Sequence, residues 1–233
     1  MPSRLVLWDV DGTLVRAGRV ASEVFSLAVE HAVGRHPGDH GVRMSGKTDP
    51  QIALEILTGM GLGADECHRH LPLVVDRMEA ELSAAVELIR ARGRVLPGVR
   101  QILSTLAADD DVIQSVLTGN TAVNAGTKLA ALGLDQWLDL EVGAYGSDDP
   151  DRRALVPVAL RRAAERRDWT LSAEEVWVVG DTPRDLECAR AGGARCALVA
   201  TGHTPPEALH GLGADAVFDD LTDVEAVAKL LRS

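Results

Sequence analysis

Short apolar runs alternate with stretches of helical periodicity over most of the chain. The apolar runs lie at residues 5–8, 112–117, 140–142, 176–179 and 197–200, with a weaker one at 214–218. Runs of this length are typical of strands buried on both faces of a sheet. Helical spacing of apolar residues occurs between them, at residues 99–108, 123–132, 153–166, 185–191 and 224–231. This alternation predicts an α/β fold with a parallel sheet covered by helices on both faces.

The segment from about residue 18 to residue 94 interrupts the alternation. It contains only helical patterns, at residues 21–33, 51–60 and 65–89. A parallel crossover normally needs a single helix, so this much sequence after the first strand predicts an inserted α-helical subdomain. Glycine and proline mark the hinges on either side of it. We therefore expect a core formed by residues 1–15 and 96–233, and an insert formed by residues 16–95.

The composition of the 233 residues argues against several classes of protein. Hydrophobic residues make up 46% and charged residues 25%, and the formal net charge is −11. No apolar run approaches the roughly 20 residues that cross a bilayer, and the acidic balance disfavours a nucleic-acid partner. The three cysteines, Cys67, Cys188 and Cys196, lack C-x-x-C spacing, so we expect reduced thiols in a cytoplasmic protein.

Two carboxylates follow the first predicted strand. Asp9 and Asp11 belong to the segment DVDGTL at the C-terminal end of that strand, where ligands bind in parallel sheets. Buried carboxylates at the end of a strand are energetically unfavourable unless a cation or a shared proton compensates their charge. The alternative, an acidic turn that caps a helix, explains one aspartate but explains the whole hexapeptide poorly.

A second pair of carboxylates lies near the other end of the chain. Asp181 follows the run at 176–179 in the segment GDTPRD, and Asp185 lies one helical turn later on the same side. At adjacent strand ends, Asp9 and Asp181 would form a carboxylate pair suited to a hard cation such as Mg²⁺. The alternative is that Asp181 only caps the following helix.

A third polar segment, LTGN, ends the run at 112–117. Its residues Thr118, Gly119 and Asn120 combine a hydroxyl with exposed backbone amides. Such a combination is a good cradle for phosphate oxygens, although Thr-Gly-Asn is also an ordinary turn.

Taken in order, DVDGTL, the insert, LTGN and GDTPRD resemble the haloacid dehalogenase superfamily. The insert directly after the first motif is similar to the C1 cap of that superfamily, and the chain is most similar to its phosphoglycolate-phosphatase-like hydrolases. The resemblance covers essentially the whole chain. It implies a Rossmann-like core, a helical cap, dependence on Mg²⁺ and attack by an aspartate on a phosphoryl group.

Carried over to this chain, the resemblance makes Asp9 the nucleophile that becomes phosphorylated. Asp11 would protonate the leaving alkoxide and then activate water. Mg²⁺ would lie between the Asp9 carboxylate, the Asp11 backbone carbonyl and Asp181, with Asp185 holding a metal-bound water. The phosphoryl oxygens would be held by Thr118 and by the amides of Gly119 and Asn120.

The resemblance also implies a lysine beside the nucleophile, and here the chain departs from the common pattern. The Lys-Pro segment expected between LTGN and GDTPRD is replaced by residues 146–153, which contain no lysine. The chain has only three lysines, and one of them, Lys128, lies in the helix predicted after LTGN. We expect Lys128 to supply this charge, with Arg152 or Arg153 as substitutes, since a phosphoryl clamp can use either type of cation.

Another lysine, Lys47, lies in the segment MSGKTDP within the insert. A cap that closes over a site must bring its own polar groups to the substrate, so we interpret residues 46–49 as a substrate-specificity loop that contains Lys47. The alternative is a solvated loop in which Asp49 caps the following helix.

The function expected from these features is hydrolysis of a small phosphorylated metabolite by an Mg²⁺-dependent phosphatase. A dehalogenase would need no acid at Asp11. A phosphonatase would form a Schiff base on a cap lysine such as Lys47, but members of that branch usually lack an acid at the position of Asp11. A sugar-phosphate mutase stays open. A non-catalytic binding protein is disfavoured, since such proteins typically lose one of the carboxylates. The substrate and the oligomeric state are not predicted.

Overall fold

The structure, a computed structural model, describes residues 2–17 and 20–233. The strands of this part of the chain are β1 (Arg4–Trp8), β2 (Val15–Arg16), β3 (Arg94–Val95), β4 (Val112–Thr118), β5 (Ala144–Tyr145), β6 (Val176–Gly180), β7 (Arg195–Val199) and β8 (Ala216–Phe218). Six of them form a parallel sheet in the order β5-β4-β1-β6-β7-β8, while β2 and β3 pair with each other in antiparallel fashion. The predicted α/β class is therefore confirmed.

Helices cover both faces of the parallel sheet. The α-helices of the described residues are α1 (Val20–Val33), α2 (Asp49–Gly59), α3 (Ala64–Ala84), α4 (Val86–Arg92), α5 (Val99–Ala107), α6 (Ala122–Ala131), α7 (Leu155–Arg167), α8 (Pro183–Ala191), α9 (Pro206–His210) and α10 (Val224–Leu231). Along β1 the side chains alternate between two cores, as a buried central strand requires. Val6 and Trp8 pack on the side of α5 and α10, and Leu5 and Leu7 pack on the side of α7 and α8.

Strand β1 lies at the centre of the sheet, between β4 and β6. Its last residue, Trp8, pairs with Val116 on one side and Val179 on the other. The chain adds β4 and β5 on one side of β1 and then β6, β7 and β8 on the other, so β1 lies at a topological switch point. In open α/β sheets, ligands bind at such a point, beyond the carboxyl ends of the strands. The residues that follow β1, β4 and β6 are therefore brought to one edge of the sheet.

Helices α1 to α4 build a separate apolar core. Phe25, Ile56, Met78, Leu82 and Ile89 are buried in it. The short ribbon of β2 and β3 joins the point where the chain leaves the sheet to the point where it returns. The division of the chain at residues 15/16 and 95/96 stays a prediction. None of the helices in the described residues combines the length and the apolar character needed to cross a membrane.

One predicted strand is wrong. Residues 140–142 form turns, and the edge strand β5 begins only at Ala144. The cause is Asp139, whose carboxylate accepts a hydrogen bond from the backbone N–H of Glu141 at 3.2 Å, while its carbonyl accepts one from Val142 at 3.2 Å. Local bonds of this kind compete with a strand ladder. Val142 is buried all the same, which explains the apolar pattern.

Candidate active site

Three carboxylates meet beyond the ends of β1 and β6. Asp9 directly follows β1, Asp181 directly follows β6, and Asp185 lies in the first turn of α8. Each offers an oxygen within 4.8 Å of the others, and all three side chains are buried. Asp185 is held by the backbone N–H of Thr182 at 2.9 Å and by the Thr182 hydroxyl at 2.7 Å. The local helix start thus fixes one member of the cluster.

The cluster carries more negative charge than the protein compensates. Burial, and then the neighbouring carboxylates, raise the pKa of Asp9 to about 7 and that of Asp181 to about 8. Close, buried carboxylates favour a divalent cation with a preference for oxygen ligands, because such an ion offsets both the repulsion and the desolvation. The donor set therefore fits a hard divalent cation such as Mg²⁺.

Among the described residues, Arg152 is the only arginine whose guanidinium contacts this cluster. Arg152 is buried, and its Nη2 donates to Asp9 Oδ1 at 2.8 Å and to Asp185 Oδ1. Although burial opposes its charged form, Asp185 and Asp9 raise the pKa of Arg152 above its ordinary value. Arg153 points away, since it is exposed and pairs with Asp151. The hydrogen bond to Asp9 is thus made by Arg152, one of the two alternatives to Lys128.

Lys128 contacts the second aspartate of the first motif instead. Its Nζ donates to Asp11 Oδ2 at 2.5 Å and to Asn120 Oδ1 at 2.6 Å, and Asn120 Nδ2 donates to the same Asp11 oxygen at 2.8 Å. Lys128 is buried, whereas the Asp11 side chain is 41% exposed. Asp11 is therefore held at the mouth of the site, apart from the three buried carboxylates.

The last residue of β4 and the three residues that follow it form a polar loop in the same cavity as Asp9, which we call the phosphoryl loop (residues 118–121). The Thr118 hydroxyl accepts from the side-chain amide of Asn120 at 2.9 Å, so its own proton remains available for a ligand. A side chain at Gly119 would meet the backbone oxygen of Lys47, only 2.0 Å from an added Cβ. Glycine is thus required at this position because the cap approaches the loop closely.

A cavity of about 450 Å³ joins these groups to the helical cap. Phe25, Met44, Lys47 and Ile52 line it from the cap. The lining residues from the rest of the chain include Asp9, Asp11, Arg16, Thr118, Asn120, Lys128, Arg152, Asp181 and His203. The cavity is lined by all the residues expected at the site except Asp185, which binds Arg152, and Arg153. The cavity is large enough to hold a small metabolite.

Lys47 lines the cavity but is already paired. Its Nζ donates to Glu55 Oε2, and Gln51 Nε2 donates to the other oxygen of Glu55 at 3.0 Å. The Lys47 side chain is only 13% exposed. It thus lies where a specificity residue would lie, with its charge shared with Glu55.

The sequence reasoning missed one residue that belongs to this region. The sequence places Asp49 in the specificity loop or, as the alternative, at the cap of its own helix. The structure gives that cap to Thr48, whose hydroxyl accepts from the backbone N–H of Gln51, and the Asp49 carboxylate reaches the core helix α6. An acid at the start of a helix usually acts locally, so no signal in the sequence distinguishes this long-range contact.

The sequence matches the model of a known protein family. Residues 6–190 match the family model described as haloacid dehalogenase-like hydrolase. The chain belongs to this family. The expectation of a hydrolase is thereby confirmed.

Relatives of this hydrolase extend over almost its whole length. It is 27% identical to a plasmid-encoded phosphoglycolate phosphatase of Cupriavidus necator, over 97% of this chain and 94% of the relative. It is 28% identical to a phosphoglycolate phosphatase of Rhodospirillum rubrum, over 95% of this chain and 89% of the relative. The crystal structure of a predicted phosphoglycolate phosphatase from Haemophilus somnus superposes with a TM-score of 0.68 at 19% identity, covering 97% of this chain and 99% of that one. The last comparison supports the fold alone.

Proposed function

We propose that this hydrolase is a phosphatase that cleaves the phosphate monoester of a small metabolite through phosphoryl transfer to Asp9. One observation carries the proposal. A buried carboxylate at the end of the central strand is held by a buried guanidinium, and a second, more exposed acid lies two residues later in the same cavity. This is the pair of groups that nucleophilic attack and general acid catalysis require.

The chemistry of the chain's own residues follows from these contacts. Arg152 occupies Oδ1 of Asp9, and among the described residues no donor is recorded for Oδ2, which is therefore available to attack phosphorus. The new bond joins this oxygen to phosphorus, while the bond from phosphorus to the ester oxygen breaks. Asp11 gives its proton to the departing alkoxide. Asp11 then takes a proton from water, which attacks the phosphorus, releases inorganic phosphate and restores Asp9.

The phosphoryl oxygens need donors that are already in position. The Thr118 hydroxyl and the amides of Gly119 and Asn120 would supply them, and the Arg152 guanidinium would offset the charge that accumulates at Asp9. Asp9, Asp181 and Asp185 would hold Mg²⁺, with the Asp11 backbone carbonyl as a further ligand. When bound, this ion supplies positive charge that lets an anionic carboxylate approach an anionic phosphoryl group.

The names of the relatives indicate which substrates to test first. The curated relatives at 26–28% identity are named phosphoglycolate phosphatases, so phosphoglycolate is the first compound to test. A phosphonatase is disfavoured because the Lys47 Nζ is engaged by Glu55 rather than free in the cavity, and because Asp11 supplies an acid that a carbon leaving group does not need.

A phosphate-release screen tests the proposal. Phosphoglycolate, sugar phosphates, nucleotides and phosphonates are each incubated with the protein, with Mg²⁺ and with a chelator. Release of inorganic phosphate from a monoester, dependent on Mg²⁺, is the expected result. Formation of an isomeric sugar phosphate without free phosphate would instead indicate a mutase, and no turnover of any compound would contradict the proposal.

Replacing Lys128 by methionine is expected to lower kcat by about 100-fold for alkyl phosphates. Lys128 contacts Asp11 and makes no recorded contact with Asp9, so its loss disturbs the proton donor rather than the nucleophile. An activated aryl ester, whose leaving group needs no proton, should lose much less activity. The measurement is kcat for both ester types. Equal losses on both would place the role of Lys128 at the phosphoryl group instead of at Asp11.

In the absence of divalent ions, the free energy of unfolding is expected to fall as the pH rises from about 5 to about 8. The pKa values of Asp9 and Asp181 are raised from 3.8 to about 7 and about 8. The folded protein therefore keeps protons that the unfolded chain has already released, and the free energy of unfolding falls as the pH rises through this window.

Melting temperatures of wild type and Asp181→Asn, measured with a chelator and with Mg²⁺, check this expectation. The metal-free wild type should lose stability relative to Asp181→Asn between the two pH values. Mg²⁺ should raise the melting temperature of the wild type by several degrees or more near pH 8, and that of the variant less. A wild type that gains stability relative to the variant with rising pH would contradict the raised pKa values.

A further inference from the structure

The cap contacts the core through a short loop that enters the active site, the cap loop (residues 44–49). Thr48, which is fully buried, donates from its hydroxyl to the carbonyl of Pro150 at 2.9 Å. Arg152 Nη1 donates to the carbonyl of Gly46 at 3.3 Å. Added Cβ atoms at Gly119 and Gly146 would lie 2.0 Å from the Lys47 oxygen and 3.0 Å from the Thr48 Cβ, respectively. The cap loop is thus fitted between two loops of the core.

Asp49 makes the most specific of these contacts. Its backbone N–H donates to the carbonyl of Gly119 at 2.7 Å. Its Oδ2 accepts from the backbone N–H of Thr121 at 3.0 Å and from Asn124 Nδ2 at 3.0 Å. A single residue of the cap therefore binds the phosphoryl loop by two hydrogen bonds and the first turn of α6 by a third, at positions that flank the expected phosphoryl site.

Without those partners, burial of the Asp49 carboxylate would be energetically unfavourable. Asp49 is 7% exposed, and burial raises the pKa of its carboxyl, while the charge of Lys128 and the hydrogen bonds from Asn124 and Thr121 oppose that shift. A carboxylate at the N-terminus of α6 is favoured by the helix dipole. If the cap loop left its position, Asp49 and the amides of Thr121 and Asn124 would all lose their partners.

We propose that Asp49 is a positioning residue that fixes the phosphoryl loop and the cap loop in a single arrangement. The inference rests on the proposed function for its kinetic consequence, but the contact itself is independent of any activity. Because Asp49 braces the phosphoryl loop in the ground state and in the transition state alike, its loss should act mainly on KM. Asp49 does not touch the reacting atoms.

An isosteric exchange of donor and acceptor tests the contact. Asn124→Asp places a second carboxylate against Asp49, so we expect KM for the best monoester to rise at least about tenfold, with kcat within about threefold of wild type. In the double variant Asp49→Asn with Asn124→Asp, the amide nitrogen at position 49 can donate to the carboxylate at position 124, but the bond from Thr121 is lost because Asp49 Oδ2 accepts both bonds in the wild type. The double variant should therefore recover part of the loss, with KM at least about threefold below that of Asn124→Asp.

Hydrogen exchange of residues 118–124 provides a readout that does not depend on turnover. Asn124→Asp should accelerate exchange in this segment and in residues 44–50, and the double variant should restore part of the protection. Asp65→Ala is the matched control, since Asp65 is an exposed acid in the first turn of another cap helix and should change neither KM nor exchange.

The outcomes separate the two proposals. A protein that releases no phosphate from any ester but shows the expected exchange pattern contradicts the proposed function and leaves the contact supported. A double variant as impaired as Asn124→Asp, in both KM and exchange, overturns the role of Asp49. If Asn124→Asp does not fold, Asp49→Ala takes its place, with faster exchange of residues 118–124 expected, and unchanged exchange there would overturn the proposal.

Discussion

Replacing Asp9 with asparagine is expected to reduce phosphate release by at least about 10⁴-fold while leaving the fold intact. The carboxamide has the size of the carboxylate, and its oxygen can still accept the hydrogen bond from Arg152, which is 2.8 Å from Asp9 Oδ1. It is a far poorer nucleophile, because it lacks the negative charge that attacks phosphorus. The measurement is steady-state phosphate release, with circular dichroism and thermal melting to establish that the variant is folded.

The matched control for this variant is Asp111→Asn. Asp111 is an exposed aspartate at the opposite edge of the sheet, immediately before β4, and its replacement should leave turnover within about twofold of wild type. Mass spectrometry of rapidly quenched Asp11→Asn protein adds a direct test, because slow hydrolysis should leave one phosphoryl group on Asp9. Near wild-type turnover by a folded Asp9→Asn protein would remove Asp9 as the nucleophile.

The positions of the acidic residues could be predicted because their signals are local. Asp9 and Asp181 each follow a short buried strand, and a parallel sheet brings the ends of such strands to one edge. Asp185 needed only the spacing of one helical turn. The same reasoning failed at residues 140–142, where an aspartate turn at Asp139 competes with strand pairing despite the apolar pattern.

The contacts between distant segments could not be predicted in the same way. Lys128 and Arg152 both lie after β4, and the choice between them as partner of Asp9 depends on which helix faces the end of β1. The scarcity of lysine favoured Lys128, which the structure places against Asp11, whereas Arg152 contacts Asp9. Asp49 binds an amide 72 residues away, and nothing in its own helix distinguishes it from an ordinary first-turn acid.

Loss of the Arg152 side chain is expected to have the second largest effect on turnover. Arg152→Ala should lower kcat/KM by at least about 10³-fold, for alkyl and aryl phosphates alike, since the guanidinium acts at the nucleophile and not at the leaving group. It should also lower stability, because two buried carboxylates lose their cation. Arg153→Ala is the matched control: Arg153 is 64% exposed, and its replacement should change kcat/KM by less than about twofold.

Because Arg152→Ala is open to a purely structural explanation, Arg152→Lys gives the sharper test. A lysine keeps the charge but lacks the planar fork that reaches Asp9, Asp185 and the Gly46 carbonyl together, so kcat/KM should fall by about 10- to 100-fold. A buried lysine can also lose its proton, which arginine does not do. The activity of Arg152→Lys should therefore fall at alkaline pH, whereas that of the wild type should not. Added guanidinium ion should partly restore Arg152→Ala. An Arg152→Lys profile of the same shape as the wild type, together with no rescue of Arg152→Ala, would show that the charge at this position is not used in the reaction.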